Sequence, residues 1–157
     1  MGIEIEKKFL VNILPPDLAP GDDISQGYLL NTPEKTVRVR IKGNKGYLTI
    51  KGPPVELVRP EYEYEIPVTD AGQMLDRFCD GKVIEKCRHT CRHQGMTWVI
   101  DRFSGANQGL VVAEIELTAP DQVVSVPSWA GPEVTDDPRY LNANLIHYPY
   151  THWQADK

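Results

Sequence analysis

The chain opens with Ile3-Glu4-Ile5-Glu6-Lys7-Lys8-Phe9-Leu10, in which charged and apolar residues largely alternate. In an extended strand successive side chains point to opposite faces, so Glu4, Glu6 and Lys8 share one face. Taken alone, the pattern is typical of a half-buried strand whose polar face meets water. The alternative is a divalent-cation site at Glu4 and Glu6, with Lys8 beside it as a phosphate ligand or proton acceptor. The other strands are needed to decide between them.

Strand-like alternation recurs along the chain, with turns rich in Gly, Pro and Asn between the segments. Further strands are predicted over 25–30, 36–42, 47–51, 59–68, 82–94, 97–103 and 110–118. The sequence therefore predicts about eight antiparallel strands joined largely by hairpins. One helix is predicted to start at Asp70 as its cap, and a second to start at Asp137-Pro138 and stop at Pro149. Residues 119–133 are Pro-rich and receive no assignment.

The charged faces of these strands are sorted by sign. The acidic positions are Glu4, Glu6, Glu63, Glu114 and Glu116, and the basic positions are Arg38, Arg40, Lys51, Lys86 and Arg88. A solvated barrel exterior would normally intersperse the two signs, because rows of like charge lower stability. If these faces point inward, they need partners, since unpaired buried charge is too costly. A divalent metal on the acids and a polyanion on the bases would meet that need, which favours a polyphosphorylated substrate over a sugar or peptide.

Composition limits the class of protein. A chain of 157 residues is expected to form one domain over 1–157. The net charge of −5 lacks the basic excess of a nucleic-acid or anionic-membrane surface, so neither partner is expected. The sequence shows no apolar run long enough to span a bilayer and no signal-peptide pattern, and its cysteines (Cys79, Cys87 and Cys91) indicate a reducing compartment. We expect a cytoplasmic protein, with a homodimer as one candidate assembly.

The motif Glu4-x-Glu6-x-Lys8 resembles the ExExK signature of the CYTH superfamily, also called triphosphate tunnel metalloenzymes. The resemblance continues, in order, through Gln26-Gly27-Tyr28-Leu29, Val37-Arg38-Val39-Arg40, Leu48-Thr49-Ile50-Lys51-Gly52, Glu61-Tyr62-Glu63, Glu85-Lys86-x-Arg88, Ile100-Asp101-x-Phe103, Ala113-Glu114-Ile115-Glu116-Leu117, Glu133-Val134-Thr135 and Arg139-Tyr140. A lone ExExK is a weak signal, whereas this ordered set is highly specific. It implies an α+β fold: a closed eight-stranded antiparallel β-barrel, or tunnel, with a charged lumen and flanking helices.

The resemblance also implies an activity and a site. The activity is the hydrolysis of inorganic triphosphate to pyrophosphate and phosphate, dependent on Mg²⁺ or Mn²⁺. The implied metal ligands are Glu4, Glu6, Glu114 and Glu116, with Glu63 and Asp101 as secondary candidates, and the implied triphosphate ligands are Arg38, Arg40, Lys51, Lys86 and Arg88, with Arg59 as a secondary candidate. Lys8 and Tyr28 form the implied catalytic pair that promotes attack by water. A lysine can act as a base only if its pKa falls well below about 10.4. Cationic neighbours would lower the pKa of Lys8 and Glu4 and Glu6 would raise it, so the sequence leaves its state open.

Other activities occur on the same fold. They include class IV adenylate cyclases, thiamine-triphosphatases and nucleoside triphosphatases, and a non-catalytic polyphosphate-binding module is a further alternative. Tyr28 and the short chain favour the simple phosphohydrolase. One stretch, Cys87 to His93, holds two cysteines and two histidines. On a strand, residues i and i+2 lie ~6.6 Å apart, too far for four ligands to meet one zinc ion, so a zinc site is not expected here. By alternation with Arg88, His89 is expected to face away from the lumen and to affect packing.

Overall fold

The computed structural model describes residues 2–153, which form one nine-stranded antiparallel sheet with short helices around it. The strands are β1 (Ile3–Val11), β2 (Asp22–Asn31), β3 (Thr36–Lys42), β4 (Lys45–Lys51), β5 (Val58–Ile66), β6 (Ile84–His93), β7 (Met96–Phe103), β8 (Val111–Glu116) and β9 (Ala130–Glu133). Their order is β5-β4-β3-β2-β6-β7-β8-β1-β9, and β1 also pairs with β5. Strands β1 to β8 therefore close into an eight-stranded antiparallel barrel, which confirms the predicted fold.

The first strand closes the barrel. Its start, Ile3–Ile5, pairs with β5, and its remainder pairs with β8. Residues directly opposite in an antiparallel pair project to the same face of the sheet. The charged face of β1 therefore gains partners on both sides, because Glu4 lies opposite Arg59 and Lys8 lies opposite Glu114.

The apolar faces of the strands point out of the barrel, where other segments cover them. On β1, β7 and β8 the outward residues Phe9, Trp98 and Ile115 form a buried cluster beneath the loops that carry Leu18 and Trp129. On the other side, helix α1 (Val68–Phe78) packs Ala71 and Leu75 against Val39. Because burial of apolar surface dominates folding, the loops and the helix that pack on these apolar faces decide which face of each strand is outside. The charged faces are left in the lumen.

One end of the lumen is filled by a second apolar cluster, here called the floor. It consists of Ile84, Phe103, Leu110, Val112, Tyr140, Leu145 and Trp153. Ile84 and Phe103 share the lumen face of their strands with Lys86 and Asp101, by alternation. The last three members of the floor come from the C-terminal segment. The charged site therefore lies between this floor and the other end of the barrel.

The helices differ from the prediction both at the start of α1 and in the C-terminal segment. Helix α1 begins at Val68 after Pro67, which makes no side-chain cap, so the prediction of Asp70 as its cap was wrong. Pro67 holds a backbone conformation that leads directly into the helix, and Asp70 lies in its first turn, where its charge favours the helix dipole. No helix within residues 2–153 combines the length and apolar content needed to cross a membrane.

The C-terminal segment is not the single helix that was predicted. Asp137 does cap a helical start, accepting a hydrogen bond from the Arg139 N–H at 3.1 Å, but only a 3-10 turn, Pro138–Tyr140, follows it. The backbone then extends at Leu141 before helices α2 (Asn142–Leu145) and α3 (Tyr150–Trp153). This break allows aromatic and aliphatic side chains from three short pieces to enter the floor. Strand β9, in the unassigned Pro-rich stretch, was also missed.

Candidate active site

A cavity of about 610 Å³ lies in the lumen. The strand residues that line it include Glu4, Glu6, Lys8, Tyr28, Arg38, Lys51 and Arg59, all of them predicted site residues. The opposite wall comes from the C-terminal segment and includes Leu141, Asn142 and His147. Residues far apart in the sequence therefore line one partly open, highly charged cavity.

A network of ion pairs lies deeper in the barrel, centred on Asp101. Its carboxylate accepts hydrogen bonds from Arg88 Nε and Nη2, both at 2.8 Å, and lies 2.8 Å from Lys86 Nζ. Burial alone would raise the pKa of Asp101, but Lys86 and Arg88 hold it well below its usual range. Glu114 extends the network, 3.5 Å from Lys8 and 4.0 Å from Arg88. Asp101 thus binds Lys86 and Arg88, and these contacts orient the two basic side chains.

Two arginines beside this network lack a full set of partners. Arg40 is buried, and in the described part of the chain its side chain makes one hydrogen bond, from Nε to the neutral Gln26 Oε1 at 2.8 Å. Burial, together with Arg38 and Arg88, lowers the pKa of Arg40 to about 9. Arg38 donates to Thr49 at 3.2 Å and lies 3.5 Å from Glu63, but its buried Nε has no partner among the described residues. Positive charge is in excess here, so this part of the lumen is built for an anion.

The acidic side of the lumen has the opposite imbalance. Burial, with Glu114 and Glu4 nearby, raises the pKa of Glu6 to about 8. Glu4 is paired with Lys51, whose Nζ lies 2.7 Å from Glu4 Oε2, whereas Glu6 has no ion-pair partner in the described part of the chain. Glu116 lies opposite Glu6 in the β1–β8 register, but it is exposed. A cation brought to Glu6 would remove the repulsion.

The donor set suits Mg²⁺ or Mn²⁺ in chemistry, since carboxylates are ligands that such hard cations prefer. Within residues 2–153, however, no three Asp, Glu, His or Cys side chains converge into a ready ligand cage. Mg²⁺ commonly binds through one or two carboxylates together with substrate phosphates. The carboxylates of Glu4, Glu6 and Glu114 therefore fit such a cation in chemistry, provided that other ligands complete its coordination.

The predicted catalytic pair lies on the cavity wall. Lys8 Nζ donates to the Tyr140 backbone oxygen at 3.1 Å and lies 3.5 Å from Glu114. Burial lowers the pKa of Lys8, but Glu114 and Glu6 overcome that effect and raise it. Lys8 is therefore an ammonium in this arrangement. Tyr28 lines the same cavity, and no hydrogen bond joins it to Lys8.

The remaining residues singled out in the sequence lie at the edge of the site or outside the lumen. Arg59 lines the cavity, where its Nε donates to the Gly52 backbone oxygen at 2.7 Å. Glu63 is exposed and accepts a hydrogen bond from Thr49 at 2.8 Å, so it serves to fix Thr49 and Arg38. His89 is buried on the outer face, where its Nδ1 lies 2.7 Å from the Ala19 backbone oxygen. As expected from parity, it packs the loop after β1.

Sequence reasoning missed the uncharged members of the site. Gln26, Thr49 and Asn142 make hydrogen bonds to Arg40, Arg38 and Lys86 respectively. A search for rows of charge cannot detect neutral side chains. Gln26 and Thr49 each lie two residues from a predicted site residue, Tyr28 and Lys51, and so share its strand face, which could have identified them. Asn142 lies in a segment with no strand pattern.

Comparison with known proteins gives concordant results. The CYTH domain family model matches residues 2–142. An inorganic triphosphatase of Acetivibrio thermocellus is 49% identical over 155 residues, covering 98% of this chain and 99% of that protein. An inorganic triphosphatase of Nitrosomonas europaea is 35% identical over 147 residues, covering 90% and 95%. The crystal structure of the inorganic triphosphatase NE1496 superposes with a TM-score of 0.67 and 36% identity, covering 93% of this chain and 95% of that one.

Proposed function

The chain belongs to the CYTH domain family, and on that premise we propose that it hydrolyses inorganic triphosphate to pyrophosphate and phosphate. The observation that carries the proposal is Arg40, a buried guanidinium whose one hydrogen-bond partner among residues 2–153 is the neutral Gln26 side chain. A buried charge without a counter-charge is unfavourable unless a ligand supplies one. The similarity to inorganic triphosphatases over nearly the full length of the chain supports a triphosphate as that ligand.

The basic residues divide into three groups by the contacts they already make. Arg38 and Arg40 have unused capacity and are the primary phosphate ligands, because a guanidinium can bind two phosphate oxygens at once. Lys86 and Arg88 are paired with Asp101 deeper in the barrel, and from there they contribute positive charge to the site. Lys51 and Arg59 line the cavity and receive the rest of the chain of phosphates.

Mg²⁺ or Mn²⁺ is the proposed cofactor. Glu6 would hold it, with Glu4, Glu114 and the opposite Glu116 as further carboxylates. When bound, such a metal neutralises charge on the phosphate oxygens and stabilises the charge that develops during transfer. For Glu6 itself, the consequence is loss of the proton that its raised pKa favours.

Lys8 and Tyr28 are proposed to act on the reacting centre. Because the pKa of Lys8 is raised, its role is that of a cation, which holds a phosphate oxygen and stabilises negative charge. The Tyr140 carbonyl and Glu114 fix its position. The Tyr28 hydroxyl, on the next strand along the chain, would orient the attacking water.

The test is release of phosphate from four substrates, with and without Mg²⁺ or Mn²⁺. They are inorganic triphosphate, ATP, thiamine triphosphate and long-chain polyphosphate. We expect metal-dependent turnover that is fastest with inorganic triphosphate. Faster turnover of a nucleotide or of thiamine triphosphate would reassign the substrate, and absence of metal-dependent turnover with all four would end the enzyme hypothesis.

A cytoplasmic setting is proposed from composition alone. The free cysteines Cys79, Cys87 and Cys91 support a reducing, cytoplasmic location. A homodimer, and the lack of nucleic-acid and membrane partners, stay predictions. Sedimentation of the purified protein would settle the assembly.

A further inference from the structure

Asn142 is the first residue of α2 and lies in the cavity wall contributed by the C-terminal segment. Its side-chain oxygen accepts two hydrogen bonds, from Gln26 Nε2 and from Lys86 Nζ, both at 3.1 Å. Gln26 and Lys86 are buried lumen residues on different strands. Asn142 thus ties the C-terminal segment to the charged interior of the barrel.

The partners of Asn142 fix which way its amide group points. Lys86 Nζ lies 2.8 Å from the Asp101 carboxylate and donates to Asn142 at 3.1 Å, so the Asn142 atom that faces it is the oxygen. Gln26 is fixed in the same sense, because Arg40 Nε donates to its oxygen at 2.8 Å and leaves its NH₂ group to face Asn142. The hydrogen bonds therefore run in one direction, from Arg40 through Gln26 to Asn142.

This arrangement leaves the NH₂ group of Asn142 free. Both donors to Asn142 occupy its oxygen, and its Nδ2 has no acceptor among residues 2–153. The same side chain lines the cavity. Its neighbours are cationic: Lys86 touches it directly, Arg40 is one hydrogen-bonded residue away, and Lys8 bonds to Tyr140 two residues earlier. N–H groups among cations form a site for an anionic oxygen.

We propose that Asn142 is a substrate ligand, whose amide N–H groups bind a phosphate oxygen beside Arg40 and Lys8. The inference rests on the proposed function and adds a neutral donor from the C-terminal segment to phosphate ligands that are otherwise cations on strands. Asn142 also orients Lys86 and Gln26, but that role uses only its oxygen. The two roles can therefore be separated by substitution.

Asn142→Asp separates them. The aspartate keeps an oxygen for Gln26 and Lys86 but places a second, negatively charged oxygen where the donors were. We expect resistance to urea close to that of the wild type, with affinity for inorganic triphosphate lower by about 10- to 100-fold. Affinity is measured by titration calorimetry in EDTA, so the result does not depend on a metal, and KM and kcat are measured with Mg²⁺.

Two further variants complete the test. Asn142→Ala adds no charge but removes the amide donors together with the oxygen that Gln26 and Lys86 use, and we expect triphosphate binding about 10-fold weaker. Thr151→Val is the matched control, because it removes a hydrogen bond of the same C-terminal segment, from Thr151 Oγ1 to the Ala106 backbone oxygen at 2.7 Å, at an exposed position. It should bind triphosphate like the wild type.

The outcomes are distinct. Wild-type binding of triphosphate by both Asn142→Asp and Asn142→Ala would overturn the role of Asn142 and leave the proposed function intact. A wild-type protein that neither binds nor hydrolyses triphosphate would overturn the proposed function, and this inference with it. If Asn142→Asp does not fold, the alanine variant decides.

Discussion

Lys86 Nζ lies 2.8 Å from Asp101 Oδ2, and these side chains are 0% and 2% exposed, which makes them the most deeply buried ion pair among the described residues. Arg88 makes two further hydrogen bonds to the same carboxylate. One carboxylate therefore balances two bases, and Lys86 and Asp101 are almost fully removed from water. The stability of the lumen depends on this acid more than on any exposed pair of the barrel.

Asp101→Asn should destabilise the protein by about 3–5 kcal/mol, because it leaves buried cations without a counter-charge. Urea denaturation followed by circular dichroism measures the change. The exposed Asp76→Asn on α1 is the matched control and should stay within about 0.5 kcal/mol. The double variant Asp101→Asn/Lys86→Met should recover part of the loss. A single variant as stable as the wild type would contradict this account of the network.

Glu6→Gln should lower metal-dependent triphosphate hydrolysis by about 100-fold or more while the fold is kept, because a neutral amide cannot supply the charge that a divalent cation needs. Activity is measured over a range of Mg²⁺ concentrations, and metal binding by calorimetry. Glu85→Gln, on the outer face of β6, is the control with an exposed carboxylate. Full activity of Glu6→Gln at low Mg²⁺ would remove Glu6 from the metal site.

Without metal, Glu6 should make the protein less stable as the pH rises from about 4.5 to about 8. The pKa of Glu6 is raised from 4.5 to about 8 in the folded protein, so between these values the folded state binds more protons than the unfolded state. The free energy of unfolding then falls with increasing pH. Urea midpoints measured in EDTA across this range test the slope. Glu6→Gln should flatten it, and an unchanged slope in that variant would show that another group is responsible.

Arg40→Gln should weaken triphosphate binding by about 10-fold or more and yet raise the free energy of unfolding of the ligand-free protein by about 1 kcal/mol. The substitution removes a buried charge that lacks an acid partner, while the new amide can still donate to Gln26. Calorimetry measures the binding and urea denaturation the stability. A variant that loses stability without ligand would show that Arg40 is already compensated.

Tyr28→Phe should reduce kcat by about 100-fold with a smaller change in KM, because the hydroxyl is assigned to the attacking water and not to binding. Steady-state kinetics with inorganic triphosphate measure both constants. Tyr64→Phe, on an exposed face of β5, removes the same atom outside the lumen and should be silent. An unchanged kcat would exclude Tyr28 from the chemistry.

The site was predictable in its charged strand residues and unpredictable elsewhere. The basic residues stand at alternate positions on their strands, Arg38 with Arg40 and Lys86 with Arg88, so the sequence alone predicts that each pair shares a face. The positions of Asn142 and the Tyr140 carbonyl could not be predicted, because they reach the lumen where the helical conformation is interrupted at Leu141, and no periodic pattern marks that interruption. The single predicted C-terminal helix failed for the same reason: burial of Tyr140, Leu145 and Trp153 in one cluster outweighed local helical preference.

By itself, the sequence determined that Glu4, Glu6 and Lys8 share one face of β1 and that other strands carry matching rows of charge. Strand geometry has a period of two, so alternation fixes faces wherever the chain extends. Only the tertiary structure decided that these faces look inward, since that depends on which apolar faces the loops and α1 cover. It alone also decided the protonation of Lys8. Its pKa reflects burial against Glu114 and Glu6, and Glu114 lies more than 100 residues away along the chain.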